Sequence, residues 1–181
     1  MKIGIVIGSI REGRLGASVG AWVKDQADKR ADAEYEVLDL KDFRVPLLDS
    51  PTHPMQANKN YDSPEVTAWS RAIDACDGFV FVTPEYNHGV PGALKNAVDV
   101  LGPEWVGKPI GFVGYGSAGG VRAVEQWRQI VGNLSMVDVR AQLEISLFTE
   151  FGDEGFTPNE RRSAEITTLL DQLVEMTKKL A

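Results

Sequence analysis

Residues 2–16 read Lys2-Ile-Gly-Ile-Val-Ile7 and then Gly8-Ser-Ile-Arg-Glu-Gly-Arg-Leu-Gly16, and the change of character at Gly8 decides the fold. A near-continuous run of Ile and Val suits a strand buried on both faces, the situation of a parallel strand covered by helices. Beyond the glycine-rich turn, Val19, Trp22, Val23 and Ala27 recur at helical spacing, with Lys24, Asp25, Asp28 and Lys29 on the opposite face. Strand, glycine-rich loop and amphipathic helix make one βα unit.

The same order recurs downstream. A short strand is expected around Tyr35–Leu40, followed by a proline-containing stretch, residues 44–64, with neither helical nor strand period. Ser63, Pro64 and Glu65 read as N-cap, first-turn proline and first-turn acid of a helix carrying Val66, Trp69 and Ile73 on one face. Phe79-Val-Phe-Val-Thr83 is a second buried run and leads into PEYNHGVPGALKNAVD; Ile110–Tyr115 is a third and leads into GSAGG. A helix with Val121, Val124, Trp127 and Val131 follows. Alternation from Val137 to Leu147 predicts an edge strand, and Ile166, Leu169, Leu170, Leu173 and Leu180 mark a C-terminal helix. Alternating strands and helices imply a parallel sheet with right-handed crossovers, whose ligands sit beyond the carboxyl ends of the strands. Three glycine-rich loops fall at that edge.

Composition narrows the function. With 181 residues, the expectation is one domain over 1–181. No stretch has the roughly 18 consecutive apolar residues of a membrane span, and the N-terminus lacks the pattern of a secretory signal, so a cytoplasmic location is expected. A single cysteine, Cys76, and two histidines give no structural-zinc spacing, and no metal is expected. A net charge of −7 disfavours nucleic acid and anionic membranes as partners. Any anion site must therefore be local.

The first loop offers such a site. Its amides, the Ser9 hydroxyl, the guanidinium groups of Arg11 and Arg14 and the start of the following helix all favour a phosphate monoester; the plainer alternative is a glycine-rich turn with two solvated arginines. Gly8 and Gly13 have Walker spacing, but Arg14-Leu15 stands where Lys and Ser/Thr would be needed, and Gly4 with Gly8 does not complete a dinucleotide fingerprint. In the second loop Tyr86 suits the face of a flat ring or simple loop packing. His88 reads as a surface histidine rather than a proton donor, and Lys95 with Asp99 as a solvated helical ion pair.

Three features carry a family resemblance: G-S-x-R in the first loop, P-E-Y-N-x-G-x-P-G-x-L-K-N-A-x-D from Pro84 to Asp99, and the Ser/Gly-rich third loop. Together they resemble the NADPH-dependent FMN reductase family, which includes flavoprotein quinone and chromate reductases, over roughly the first three-quarters of the chain. The resemblance implies a flavodoxin-like three-layer α/β fold with a five-stranded parallel sheet of order 2-1-3-4-5. It also implies bound FMN, with NADPH or NADH as co-substrate and a small-molecule acceptor such as a quinone, free flavin or metal oxyanion. By the same resemblance Ser9, Arg11, Arg14, Gly16 and Ser18 meet the phosphate. Pro84, Glu85, Tyr86, Asn87 and Gly89 border the ribityl chain and the ring, and Ser117, Gly119 and Gly120 approach the pyrimidine edge. Many relatives carry Ser and Asn where this chain has Arg14 and Gly16, which leaves a second reading of Arg14 as a partner of the NADPH ribose phosphate. Arg11 and Arg122 are further candidates for that role.

No catalytic side chain is expected, because the cofactor carries the chemistry. The resemblance further implies a homodimer or homotetramer, with Trp69, Trp105, Trp127 and the 45–62 loop as candidate interface residues; helical spacing favours the core for Trp69 and Trp127. The competing hypotheses are a flavodoxin-type FMN electron carrier that does not itself oxidise NAD(P)H, and a flavin-free interaction domain that keeps the fold. Two basic residues in the phosphate loop favour the reductase over the carrier.

Overall fold

The computed structural model describes residues 1–153 and 155–181. Its elements run β1 (Lys2–Ile7), α1 (Gly16–Ala27), β2 (Glu34–Asp39), α2 (Leu40–Phe43), α3 (Pro54–Ala57), α4 (Pro64–Asp74) and β3 (Gly78–Pro84). They continue with α5 (Gly92–Asp99), β4 (Pro109–Gly116), α6 (Val121–Asn133), β5 (Val137–Ser146), β6 (Phe151–Gly152), β7 (Gly155–Phe156) and α7 (Arg162–Leu180). The five main strands pair in the order β2-β1-β3-β4-β5, every pair parallel. The expected order is therefore observed, with β5 at the edge as its alternation implied.

The Ile, Val and Phe runs form the centre because such residues fill space on both faces of a covered sheet. All residues of β3 and β4 are buried. One face packs on α1 and α7 through Val19, Val23, Ile166, Leu169 and Leu173. The other packs on α4, α5 and α6 through an aromatic layer of Trp69, Trp105, Trp127, Phe79, Phe81 and Phe112. Each of the three buried indoles finds an acceptor: Trp69 Nε1 donates to the Ala97 carbonyl (2.8 Å), Trp105 Nε1 to Val98 (3.1 Å) and Trp127 Nε1 to Thr83 Oγ1 (3.0 Å). Burial without those partners would cost each polar group roughly 1–3 kcal/mol. Trp69 and Trp127 occupy the core as their spacing implied. Trp105 is also fully buried, which corrects its reading as an interface residue.

Local signals hold at α4, where Ser63 Oγ accepts from the Val66 amide at 3.2 Å ahead of Pro64. Three details depart from the sequence reading. The 44–64 stretch contains the one-turn helix α3, started by Pro54 and ended by Asn58 in the left-handed region. The β6–β7 hairpin closes a loop that carries only two-residue strands. Leu180, grouped with the apolar stripe of α7, is 46% exposed.

Candidate flavin-binding site

Parallel registers bring the carboxyl ends of the central strands side by side: Ile7 faces Val82, Pro84 faces Tyr115, and Gly116 faces Ser146. The loops leaving them stay tethered, because the Gly8, Glu85 and Leu147 amides donate to Val82, Tyr115 and Gly116 carbonyls at 3.0–3.1 Å. Between these loops lies a cleft of about 330 Å³ whose walls include Ser9, Arg11, Pro84, Tyr86, Tyr115 and Leu147. Larger hollows exist elsewhere, one of about 580 Å³ beside Leu47 and Ala93 and one of about 480 Å³ under the 46–54 loop. Neither has the convergence of cation, hydroxyl and helix start found in the cleft, and a binding site is recognised by such polar groups rather than by volume.

The first loop ends at α1 with no side-chain cap and no acid in the first turn. The Ser18 amide turns back to the Leu15 carbonyl at 3.1 Å, the Gly16 and Ala17 amides have no partner among the described residues, and the helix dipole adds partial positive charge. Ser9, 1% exposed, shares a 2.6 Å hydrogen bond with the Tyr86 hydroxyl. Arg11 lies over the Tyr86 ring, 5.6 Å from its centroid, and makes no ion pair among the described residues. Gly16 is required where it stands: a Cβ there would overlap the Tyr115 hydroxyl.

Arg14 behaves differently. Its guanidinium forks onto Asp39, with Nη1 donating to Oδ1 at 2.6 Å and Nη2 bonded to Oδ2, and Nη1 also donates to the Ser9 carbonyl at 2.5 Å. Asp39 in turn accepts the Lys41 amide and caps α2. The fork holds the loop against the end of β2 and matches the charge of Arg14, while the residue still lines the cleft. Ser18 also points elsewhere, since its hydroxyl donates to the Leu15 carbonyl at 2.8 Å and the residue does not line the cleft.

The P-E-Y-N segment is a tight turn rather than an open loop. Tyr86 and Gly89 exchange backbone hydrogen bonds of 3.1 Å, while Asn87 (φ 49°) and His88 (φ 71°) occupy left-handed conformations at the tip. Two central residues with positive φ make the primed hairpin turn, which Asn tolerates best of the non-glycine residues. Gln126 of α6 clamps it, its amide donating to the His88 carbonyl and its oxygen accepting from the Val90 amide, both at 3.1 Å. Asn87, His88 and Gly89 thus shape the turn without lining the cleft, and His88 is exposed as read from sequence.

The Glu85 side chain is 5% exposed. One oxygen accepts the Arg122 amide at 3.0 Å and the other binds the Arg122 guanidinium. It therefore closes the N-terminal turn of α6, a negative charge at the positive end of a helix, and it fixes Arg122 as well. Gly119 and Gly120 of the third loop sit at φ 69° and 76°; a Cβ on Gly120 would stand 2.6 Å from the Tyr115 amide. Ser117 is exposed and does not line the cleft. Lys95 and Asp99 form the expected helical ion pair, 2.5 Å apart. Sequence reading missed Tyr115 and Gln126, both delivered by register rather than by motif.

A flavin mononucleotide fits this donor set. A phosphate needs hydroxyls, amides and an uncommitted cation, which Ser9, the start of α1 and Arg11 present. A flat ring needs a bare wall, which Pro84, Tyr86 and the glycine backbone of the third loop present.

Comparison with known proteins agrees with that chemistry. The family model described as NADPH-dependent FMN reductase matches residues 1–150. An NAD(P)H-dependent FMN reductase of Schizosaccharomyces pombe is 39% identical over 135 residues, 75% of this chain and 68% of the relative. That of Saccharomyces cerevisiae is 38% identical, covering 75% and 76%, and a quinone reductase of Escherichia coli is 36% identical, covering 72% and 69%. Among solved structures, a flavoenzyme NAD(P)H:(acceptor) oxidoreductase from Paracoccus denitrificans superposes with a TM-score of 0.74 at 20% identity, covering 98% of this chain and 97% of that one. That structural likeness establishes the flavodoxin-like fold. With the sequence matches and the three motif-bearing loops gathered at one sheet edge, the chain belongs to the NADPH-dependent FMN reductase family.

Proposed function

We propose that the protein is an FMN-dependent NAD(P)H oxidoreductase that reduces a small acceptor of the quinone class. The observation that carries this reading is the joining, in one cleft, of a carboxylate-free Arg11, the buried Ser9 hydroxyl and the uncapped start of α1 with the bare wall of Pro84, Tyr86 and Gly116. Bound FMN would supply the redox chemistry, accepting a hydride from NADPH or NADH and passing the electrons to the acceptor. The chain's own residues bind, orient and limit access. Ser9 and Arg11 hold the phosphate. Pro84 and Tyr86 set the plane of the ring, and Gly119 and Gly120 let backbone approach its polar edge. Glu85, Asn87 and Gly89 act one step removed, by fixing α6 and the turn.

Residues 1–181 work as one domain in this reading, supported by the return of α7 onto the sheet face already shared with α1. Assembly as a homodimer or homotetramer is supported by the exposed Ile10 (47%) and Leu47 (80%), which line one hollow and make a contiguous apolar patch. Action in the cytoplasm is supported by the free, buried Cys76, whose thiol burial pushes up to about 11 and keeps unreactive.

The test is anaerobic mixing of the FMN-loaded protein with NADPH or NADH while the flavin's visible band is followed. Rapid bleaching, reversed by a benzoquinone, is the expected result. Flavin binding without bleaching would point to an electron carrier and overturn the reductase.

A further inference from the structure

We propose that Tyr115 selects for the phosphate of the flavin, its phenolic hydroxyl donating a hydrogen bond to that phosphate at the uncapped start of α1. This rests on the flavin reading above and extends it to a residue outside the three loops. Tyr115 is on β4, opposite Pro84 in register, and its residue is 5% exposed. Its ring belongs to the buried cluster that also holds Val19, Val113 and Ile145, and the hydroxyl reaches the start of α1, where it occupies the space of a Gly16 Cβ. Two features distinguish it from a packing tyrosine.

First, the hydroxyl's own proton is uncommitted. The Ser9 hydroxyl lies within its reach and favours the ionised phenol while sharing a 2.6 Å bond with Tyr86, and among the described residues no hydrogen bond donated by Tyr115 is found. Tyr115 is also one of the residues that line the cleft. A phenol held in protein on all other sides and open toward a helix N-terminus is placed to meet an anion.

Second, the chain has given up a side chain to make room. Gly16 is the first residue of α1, and any other residue there would displace the hydroxyl. The donor that a longer side chain at position 16 would bring is thereby replaced by one reaching up from the sheet. Burial first, and neighbouring Tyr86 second, raise the phenol above its ordinary range. The group stays protonated near neutrality and acts as a donor, and a donor to a doubly charged phosphate is the strong kind of hydrogen bond.

The experiment measures equilibrium binding of FMN and of riboflavin, which lacks the phosphate, to wild type, Tyr115→Phe, Gly16→Ala and the double variant, by flavin fluorescence quenching. Tyr115→Phe is expected to weaken FMN by about ten- to a hundredfold, the range of a hydrogen bond to a charged group, and to leave riboflavin unchanged. Gly16→Ala is expected to weaken FMN at least as much. The double variant should be no worse than Gly16→Ala alone, because removing the hydroxyl removes both the overlap and the donor. An equal loss for FMN and riboflavin in Tyr115→Phe, or no loss for either, would overturn the inference while leaving the flavin reading intact. Wild-type protein that binds neither flavin would overturn both.

Discussion

The first loop and the P-E-Y-N turn leave neighbouring strands of one sheet, yet they are built on opposite plans. In the turn nearly every polar group is spent internally: Tyr86 with Gly89, Gln126 with His88 and Val90, Glu85 with Arg122. In the first loop one arginine is spent, Arg14 on Asp39, while Arg11 and the start of α1 are left open. Satisfied donors make a rigid wall; unsatisfied ones make an anion site. The contrast teaches that motif residues divide by what their hydrogen bonds already do. Of the residues singled out in the sequence, Ser9, Arg11, Pro84 and Tyr86 line the cleft; Arg14 and Glu85 line it too but are committed to Asp39 and Arg122, and Asn87 and Gly89 shape the turn.

The largest expected effect breaks the wall. Glu85→Ala would leave the Arg122 amide and guanidinium without their buried acceptor and should cost about 3 kcal/mol of stability, read as a lower urea midpoint. FMN and riboflavin binding would fall together. A variant of wild-type stability would mean that α6 does not depend on Glu85. The next breaks the open site: Arg11→Ala should weaken FMN about thirtyfold, the size of a charge-assisted contact, and leave riboflavin and the unfolding midpoint unchanged. An equal effect on both flavins would show that Arg11 serves the ring.

Arg14→Ala sharpens the comparison within the loop. Loss of the partly buried fork to Asp39 should cost about 1 kcal/mol, with the ratio of FMN to riboflavin affinity retained. A collapse of that ratio would return Arg14 to the phosphate. The smallest effect concerns the frame that both loops share. Glu150, buried, accepts from the Arg162 guanidinium and from the Ser146 and Asn159 amides. Burial alone would raise its carboxyl, but the fork and the amides outweigh it and leave the group below its ordinary value. Its contribution is therefore complete above the ordinary glutamate range, about pH 4.3, and is lost as the pH falls through the depressed folded value. Urea midpoints of wild type should accordingly drop more steeply than those of Glu150→Gln as the pH is lowered from 5 toward about 3; parallel acid limbs would remove Glu150 from the account.

The sheet was legible where burial is two-sided. The Ile, Val and Phe runs of β1, β3 and β4 allow no other placement, and the strand order followed from the motif resemblance once those runs were placed. Legibility ends where structure depends on distant partners. The β6–β7 hairpin rests on a two-residue pairing around Phe151 and Phe156, too short for any period, and α3 is a single turn set by Pro54. Around the cleft, the close approaches at Gly16, Gly119 and Gly120 were readable because glycines after a strand announce them. The fork of Arg14 was not legible because its partner, Asp39, is 25 residues away at the end of another strand. Tyr115 was passed over because, inside a buried run, nothing in the sequence separates a packing tyrosine from one whose hydroxyl emerges under a neighbouring loop.

The claim on which the rest depends is that the open half of the first loop is a phosphate site. The direct measurement is the affinity of the unaltered protein for FMN against riboflavin under identical salt and pH. The account predicts FMN binding tighter by at least about a hundredfold, the sum of more than one charge-assisted contact. Equal affinities would contradict it.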